Sequence, residues 1–232
     1  MALFQKVLIA NRGEIARRVI RTCKRLGIET VSIYSDADQF APYVKEATES
    51  VHIGESPARK SYLDMEKVID AAKKTGADAI HPGYGFLAEN PEFVSRCEEE
   101  GIVFIGPKAD VIRLMGSKLE ARKQMGEAGV PIVPGSAKIS SLEEALIEAE
   151  SIGYPLMVKA SAGGGGIGMK LVHNEKELKK AYEMTIKQAG SFFGDETLFL
   201  EKYIANPRHI EVHVARDRYG NSVHLFEREC SV

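Results

Sequence analysis

The chain has 232 residues, 44% hydrophobic and 28% charged, which is enough for one large or two small domains with a real core. Its 31 basic and 33 acidic residues give a formal net charge of −2, so nothing in the overall charge indicates a nucleic-acid or membrane partner. Three scattered cysteines without a CxxC spacing argue against a zinc site or a disulfide framework and favour a reducing cytoplasm. The short apolar run at the N-terminus predicts neither a signal peptide nor a membrane span.

The first hundred residues alternate between short apolar strands and amphipathic helices. We predict strands at 6–11, 28–34, 49–53, 77–81 and 102–106, and helices at 14–27, 65–76 and 91–101. This order predicts an α/β fold with a parallel, doubly wound, Rossmann-like sheet and helices on both faces. Ligands of such sheets bind beyond the carboxyl ends of the strands, which makes the loops at 11–14 and 81–85 the first candidate site.

The character of the sequence changes near residue 115, where we place a domain boundary. Ser117 and Glu120 have the spacing of a capping box and predict a helix over 117–129. A Pro-rich linker follows, and then a mixture of helices and antiparallel strands. The helices are predicted at 141–153 and 174–189, and the strands at 154–160, 169–173, 197–204, 208–217 and 221–230. The last strand runs to the end of the sequence without a turn, from which we expect a piece of a longer chain.

Four consecutive glycines, residues 163–166, separate two of these strands in the stretch KASAGGGGIGMKLV. The stretch is not a Walker P-loop, because no GK[ST] closes it, and it does not follow the first strand as a dinucleotide fingerprint would. A glycine-rich connection between strands can fold over a triphosphate, because its N–H groups approach phosphate oxygens unhindered. A hairpin tip without a ligand fits the same residues, and both interpretations stay open.

Charged residues near the glycines add candidates for a nucleotide site. Lys159 closes an apolar strand just before the glycines, and Lys118 opens the helix of the second part; each fits a phosphate contact or an ordinary surface position. Glu201 and Lys202 interrupt the apolar run 197–204, which fits either alternation toward solvent or a hinge whose backbone pairs with an adenine edge. His209 and His213 lie on a predicted strand, too far apart to share a metal without other ligands.

These signals combine into a resemblance to one family. The sequence resembles the N-terminal half of biotin carboxylases, members of the ATP-grasp superfamily found in acetyl-CoA carboxylase and related biotin-dependent carboxylases. The resemblance covers essentially all 232 residues and depends on the order and spacing of several segments. They are IANRGEIA (9–16), HPGYGFLAEN (81–90), FIGP (104–107), MGSK (115–118), VPGS (133–136), GYPLMVKASAGGGGIGM (153–169), EKYI (201–204), NPRHIEVHV (206–214) and ERECSV (227–232).

The resemblance implies a fold and a reaction. It implies a pre-ATP-grasp domain at 1–115, an α+β ATP-grasp lid domain at 116–203, and the truncated start of the ATP-grasp C-terminal domain at 204–232. The family joins bicarbonate and ATP into carboxyphosphate and then carboxylates biotin on a carrier protein. The implied partners are therefore ATP, Mg²⁺, bicarbonate, the biotin carboxyl carrier protein and a carboxyltransferase, with a homodimer as the expected assembly.

The resemblance also assigns residues. It implies that Lys118 and Lys159 contact the ATP phosphates, that the glycines form a flap over them, and that Met169 lies beside the adenine. Glu201, Lys202 and Ile204 would form the adenine hinge, His209 would contact the ribose or phosphate, and Tyr84 and Gly85 would line the biotin pocket. The flap glycines are Gly163, Gly164, Gly165, Gly166 and Gly168.

The sequence departs from the family pattern in three places. Ile167 stands where the family usually carries a cation, and Ala162 stands where it usually carries glycine. The Mg²⁺ ligands and the residues that bind bicarbonate are expected beyond Val232, so we expect residues 1–232 alone to be catalytically inactive. Another ATP-grasp ligase and a nucleotide-binding relative without turnover are the alternative interpretations.

Overall fold

The computed structural model describes residues 4–161, 168–193, 196–217 and 219–231. The chain divides into two compact units, Met1–Gln124 and Met125–Val232. The division falls inside one helix, and the boundary that we place near residue 115 from the sequence stays a prediction. Among the described residues, no helix has both the length and the apolar character that crossing a bilayer requires.

The first unit is built on a five-stranded sheet in which every pair of neighbours is parallel, as the sequence predicts. The strand order is β3-β2-β1-β4-β5. The strands are β1 (Lys6–Ile9), β2 (Glu29–Ser35), β3 (Glu49–Gly54), β4 (Ala79–His81) and β5 (Val103–Phe104). The helices of this unit are α1 (Gly13–Arg25), α2 (Pro42–Glu46), α3 (Met65–Thr75), α4 (Pro91–Glu99) and α5 (Ala109–Gly116). A sixth helix, α6 (Lys118–Glu127), spans the division between the units.

Helices cover both faces of this sheet because successive strand residues point to opposite sides. Leu8 of β1 packs in one apolar cluster with residues of α3 and α4, whereas the next residue, Ile9, packs with Ala16, Ile20 and Tyr43 from α1 and α2. The doubly wound arrangement places the carboxyl ends of β1 and β4 side by side. At that point the strand order reverses, which is where such sheets bind ligands.

The second unit contains a three-stranded antiparallel sheet with the order β7-β6-β8 and a separate two-stranded hairpin. Its strands are β6 (Leu156–Ala160), β7 (Met169–Val172), β8 (Leu198–Lys202), β9 (Ile210–Arg216) and β10 (Ser222–Glu229), and its helices are α7 (Leu142–Ile152) and α8 (Glu175–Phe193). One face of the three-stranded sheet packs on α7 and α8 through Leu156, Val158 and Leu200. The predicted antiparallel strands and the hairpin turn near Asp217 are confirmed.

Two helices and one chain path differ from the sequence-based expectations. The helices α2 and α5 were not predicted, because each is short and contains too little of an apolar period. The Pro-rich linker is not a free tether. Within it, Gly135 pairs with Glu201, and the Ser136 N–H donates to the Leu200 carbonyl at 2.9 Å, so the linker runs along the edge of β8.

Candidate functional site

In the first unit, the loop that follows β4 is fixed by a side chain from the end of β1. The Asn11 amide nitrogen donates to the carbonyl oxygens of Pro82 and Tyr84, at 2.8 and 2.9 Å, and the Asn11 side-chain oxygen accepts from the Arg12 N–H at 2.9 Å. Asn11 is only 1% exposed, so all of its side-chain polar atoms are satisfied within the protein. The loops that the sequence singled out at the carboxyl ends of β1 and β4 are therefore in direct contact.

Gly83 lies at the centre of this contact. Its φ of +65° belongs to the left-handed region, and a Cβ added there would approach the Asn11 amide nitrogen and the Ile15 side chain to 2.7 Å. The Gly83 N–H donates to His81 Nδ1 at 3.0 Å. Burial lowers the pKa of His81 below its ordinary value, which keeps Nδ1 available as an acceptor near neutral pH.

The two predicted biotin-pocket residues lie at the outer end of this loop. Tyr84 is 66% exposed, and its hydroxyl donates to Glu14 Oε1 at 2.8 Å, a bond that raises the pKa of Tyr84. Gly85 has a φ of +74° and open space where a side chain would start. A cavity of about 270 Å³ lies beside them, lined by residues that include Glu14, Arg18 and His81. The loop thus presents an aromatic ring and bare backbone to solvent.

A polar network beside this loop was not predicted from the sequence. Asp38 Oδ2 accepts from the hydroxyls of Tyr62 at 2.5 Å and Ser35 at 3.1 Å, and from Arg12 at 3.2 Å. Partial burial works to raise the pKa of Asp38, but these donors outweigh it and lower the pKa. The Arg12 guanidinium lies over the ring of Tyr62, and Tyr62 stacks on Phe86 at 5.1 Å. No spacing rule marks these residues, although Asp38 follows a strand end where functional polar residues gather.

In the second unit, Lys159 and Glu201 form an ion pair on the face of the three-stranded sheet opposite the helices. The Lys159 Nζ donates to Glu201 Oε2, and the side chains are 24% and 22% exposed. Lys159 pairs in register with Phe199 on β8 and with Met169 on β7, so Met169 lies on the same face, where it is 40% exposed. The structure brings these three predicted ATP residues together.

The predicted hinge residues after Glu201 have different surroundings. The Lys202 side chain points to the other face and donates to the carbonyls of Gly153 and Tyr154 at 2.9 and 2.8 Å. The Lys202 N–H donates to Pro134 O and the Tyr203 N–H to Pro155 O, which fixes the backbone here. Within the described part of the chain, no acceptor meets the N–H of Ile204, a residue that is 49% exposed. A backbone donor is therefore available to a ligand at this point.

The glycine-rich connection joins β6 to β7. Gly168 has a φ of +77°, its carbonyl accepts from the Ala160 N–H at 3.0 Å, and a Cβ at Gly168 would lie 3.0 Å from that of Ala160. The predicted strands on both sides of the glycines are confirmed, with Lys159 at the root of the connection. The remaining predicted flap residues, Gly163, Gly164, Gly165 and Gly166, lie outside the described residues, as do Ala162 and Ile167.

The last two predicted ATP residues lie at element ends. Lys118 is the first residue of α6, in the first unit, and the predicted cap is present because the Glu120 N–H donates to Ser117 Oγ at 3.3 Å. His209 precedes β9 in the second unit. Its N–H donates to Ser231 Oγ at 2.8 Å and its carbonyl accepts from the Cys230 N–H at 2.8 Å. In the described ranges, no three His, Cys, Asp or Glu side chains are grouped so that they could hold a metal ion.

Comparison with known families assigns both parts of the chain. Residues 3–112 match the family "Biotin carboxylase, N-terminal domain", and residues 117–232 match "Carbamoyl-phosphate synthase L chain, ATP binding domain". The chain belongs to the biotin carboxylase family. Its fold is that of the ATP-grasp biotin carboxylases, as the sequence predicts.

Individual biotin carboxylase relatives are similar over the whole chain. Biotin carboxylase 2 of Bacillus subtilis is 60% identical over 99% of this chain and 52% of its own length, and a pyruvate carboxylase subunit of Methanothermobacter thermautotrophicus is 52% identical over 99% and 47%. The solved biotin carboxylase domain dimer of Hydrogenobacter thermophilus 2-oxoglutarate carboxylase, in complex with MgADP, ADP and bicarbonate, is 54% identical. It has a TM-score of 0.92 and is matched over 100% of this chain and 51% of its own. The chain thus spans about half the length of these relatives.

Proposed function

We propose that this chain forms part of the active site of an ATP- and bicarbonate-dependent ligase that carboxylates biotin on a carrier protein. In the proposed reaction, a bicarbonate oxygen attacks the γ-phosphorus of ATP, the bond to the β–γ bridging oxygen breaks, and ADP leaves. The carbon–oxygen bond of the carboxyphosphate then breaks, its carboxyl carbon forms a bond to a ureido nitrogen of biotin, and the phosphate that leaves takes the proton from that nitrogen. Negative charge accumulates on phosphoryl oxygens, so the protein's part is to supply cations and backbone donors.

The ion pair of Lys159 and Glu201 at the root of the glycine-rich connection carries the ATP part of this proposal. It places an ammonium group on an incompletely covered sheet face, next to backbone that can approach a phosphate closely. Met169 offers an apolar contact to the adenine on the same face, and the Ile204 N–H offers a donor to the adenine edge. Lys202 would act through its backbone carbonyl, because its side chain points away from Glu201 and its N–H already donates to Pro134 O. The proposed ATP-binding set is completed by Lys118, Gly163 to Gly166, Gly168 and His209.

The biotin part of the proposal depends on Tyr84 and Gly85, which we propose as the biotin contacts. The loop that holds them is fixed at the reversal point of a parallel sheet, and it exposes an aromatic ring beside bare backbone. Such a surface suits a flat, uncharged ureido ring, which needs one apolar contact and a few backbone partners.

The other components follow from the family. We place the Mg²⁺ ligands and the bicarbonate-binding residues beyond Val232, in the length of the relatives that this chain does not span. We further propose a homodimer, a biotin carboxyl carrier protein and a carboxyltransferase as partners, and a cytoplasmic location. Acetyl-CoA carboxylase is the proposed complex. Pyruvate, propionyl-CoA and methylcrotonyl-CoA carboxylases are the alternatives, because the carboxyltransferase selects the acceptor.

The test is phosphate release from ATP by the intact gene product, measured with and without bicarbonate and free biotin. We expect release to depend on bicarbonate and to rise further with biotin. Release that ignores bicarbonate, or that bicarbonate supports but biotin never stimulates, would contradict the proposal.

A second candidate is a carbamoyl-phosphate-forming ligase, because residues 117–232 match the ATP-binding domain of that enzyme class. In such an enzyme, ammonia would stimulate ATP cleavage and biotin would not. The match of residues 3–112 to the biotin carboxylase N-terminal domain favours biotin.

A further inference from the structure

Two backbone carbonyls of the loop at 82–86 accept their hydrogen bonds from a single side chain. The Asn11 amide donates one hydrogen to Pro82 O and the other to Tyr84 O, the carbonyls on either side of Gly83. No other residue among those described donates to these two carbonyls. Asn11 is at the same time tied to the start of α1, because its side-chain oxygen accepts from the Arg12 N–H.

Other contacts of the loop fix different atoms. The Gly83 N–H is held by His81, the Tyr84 hydroxyl by Glu14, and the Phe86 ring by stacking on Tyr62. The Gly83 N–H belongs to the same peptide plane as the Pro82 carbonyl, so His81 and Asn11 fix that plane together. Among the described residues, only Asn11 bonds to the next plane that it reaches, the Tyr84–Gly85 peptide. Those planes determine where the Tyr84 Cα, its ring and the Gly85 backbone lie. Gly83 also packs closely on the Asn11 amide, because a Cβ added at Gly83 would lie 2.7 Å from the Asn11 amide nitrogen.

We propose that Asn11 is a positioning residue of the biotin site, acting through the backbone of Tyr84 and Gly85 without touching biotin. This inference depends on the proposed function, which makes Tyr84 and Gly85 biotin contacts. Asparagine suits the position because it supplies two donors and one acceptor in one rigid plane without a charge. A buried carboxylate there would turn an oxygen toward two carbonyl oxygens and would lose both donors.

The test uses Asn11→Asp and Asn11→Ala in the intact gene product. Asn90→Asp is the matched control, because Asn90 caps α4 by accepting from the Phe93 N–H at 2.9 Å, and aspartate caps a helix equally well. The measurements are the KM for free biotin, the KM for ATP, and bicarbonate-dependent phosphate release without biotin. Thermal unfolding shows which variants are folded.

We expect the KM for biotin to rise about tenfold in both Asn11 variants, an effect of about 1.4 kcal/mol. The KM for ATP and the biotin-independent release should stay within twofold of wild type, and Asn90→Asp should change nothing. If Asn11→Asp does not fold, the KM for biotin of Asn11→Ala provides the test.

Three results would overturn the inference. The first is a KM for biotin within twofold of wild type in a folded variant, the second is an equal loss of every kinetic parameter, and the third is the failure of both variants to fold. If the wild-type protein shows no biotin stimulation, the proposed function fails first. If the wild type responds to biotin and the Asn11 variants respond equally, only the role of Asn11 fails.

Discussion

The two candidate binding regions differ in how completely their polar groups are satisfied. In the loop at 82–86, backbone and side chains are held from several directions, and the Asn11 side chain has no unused hydrogen-bonding atom. On the sheet face of the second unit, Lys159 has one carboxylate partner, Met169 is 40% exposed, and the Ile204 N–H has no acceptor within the described residues. The first region is therefore preorganised, whereas the second region still offers groups that a ligand can contact.

The two regions would therefore recognise their ligands in different ways. A preformed loop loses little conformational entropy when a small ring binds, so its affinity depends on where the backbone is fixed. At the proposed ATP site, the Lys159 ammonium group would have to be shared between Glu201 and a phosphate, or be transferred to the phosphate, so the affinity would depend on charge. In the first region, the largest effects should therefore come from substitutions of residues that fix the backbone. In the second region, the largest effects should come from substitutions of charged side chains.

The largest effect on stability should come from Gly83→Ala in the first region. A side chain there adopts an unfavourable positive φ and collides with Asn11 and Ile15, so we expect a loss of about 3 kcal/mol in the free energy of unfolding. Gly85→Ala is the matched control, because Gly85 has a similar φ but open space, and should lose only about 1 kcal/mol. Urea unfolding of both variants measures the difference. Equal losses would mean that the loop is not packed on Asn11 as described.

In the second region, Lys159→Met should weaken ATP binding about 100-fold. The substitution removes the ammonium group and leaves the Glu201 carboxylate, 22% exposed, without that partner. Lys170→Met is the control, because Lys170 pairs with Val158 and so lies on the face that packs against the helices. Calorimetric titration of the intact gene product with ATP measures both. Similar affinities for the two variants would remove Lys159 from the ATP site.

A smaller effect is expected for Met169→Ala, which should weaken ATP binding about fivefold by removing apolar contact with the adenine. Leu171→Ala is the comparison. Leu171 lies on the same strand and face, with 38% exposure, but is farther from the glycine-rich connection. The same titration applies. An equal loss for both variants would show that the face binds without a defined adenine position.

The smallest expected effect is a pH dependence of stability in the first region. Burial lowers the pKa of His81 from its ordinary value of 6.5, so below pH 6.5 the unfolded chain binds a proton that the folded chain does not. The contribution of His81 to the free energy of unfolding is complete above pH 6.5. It is lost as the pH falls through the lowered pKa that His81 has in the folded chain. The free energy of unfolding should therefore drop between pH 7 and pH 5, and His81→Asn should reduce that drop. An unchanged slope in the variant would contradict this assignment.

The sequence predicted most of the fold because the local patterns agree with the tertiary structure. The apolar run at Val7–Ile9 and the helical period that includes Ile20 and Cys23 are buried as expected. Two further predictions held for the same reason, namely the strands around the glycines and the cap at Ser117. Short helices such as α2 were not predictable, because five residues contain too little of a period.

The sequence indicates candidate site residues at strand ends and beside the glycines, but it does not predict the contacts that these residues make. The position of Asn11 at a strand end was visible, whereas its bonds to Pro82 and Tyr84 join residues more than 70 positions apart. The opposite directions of Glu201 and Lys202 follow from strand alternation, but the partners of Lys202 depend on how the chain turns at Gly153. The Asp38 network assembles residues from several loops, and no local pattern encodes such an assembly.

The proposed reaction requires that bicarbonate attacks ATP, and isotopic labelling follows the oxygen atom that bicarbonate would transfer. The intact gene product would be given ATP, biotin and ¹⁸O-labelled bicarbonate, and the released phosphate analysed by mass spectrometry. If carboxyphosphate forms, the attacking oxygen stays on phosphorus, and each phosphate carries one labelled oxygen. Phosphate without the label would show that water attacks ATP, and would contradict the account.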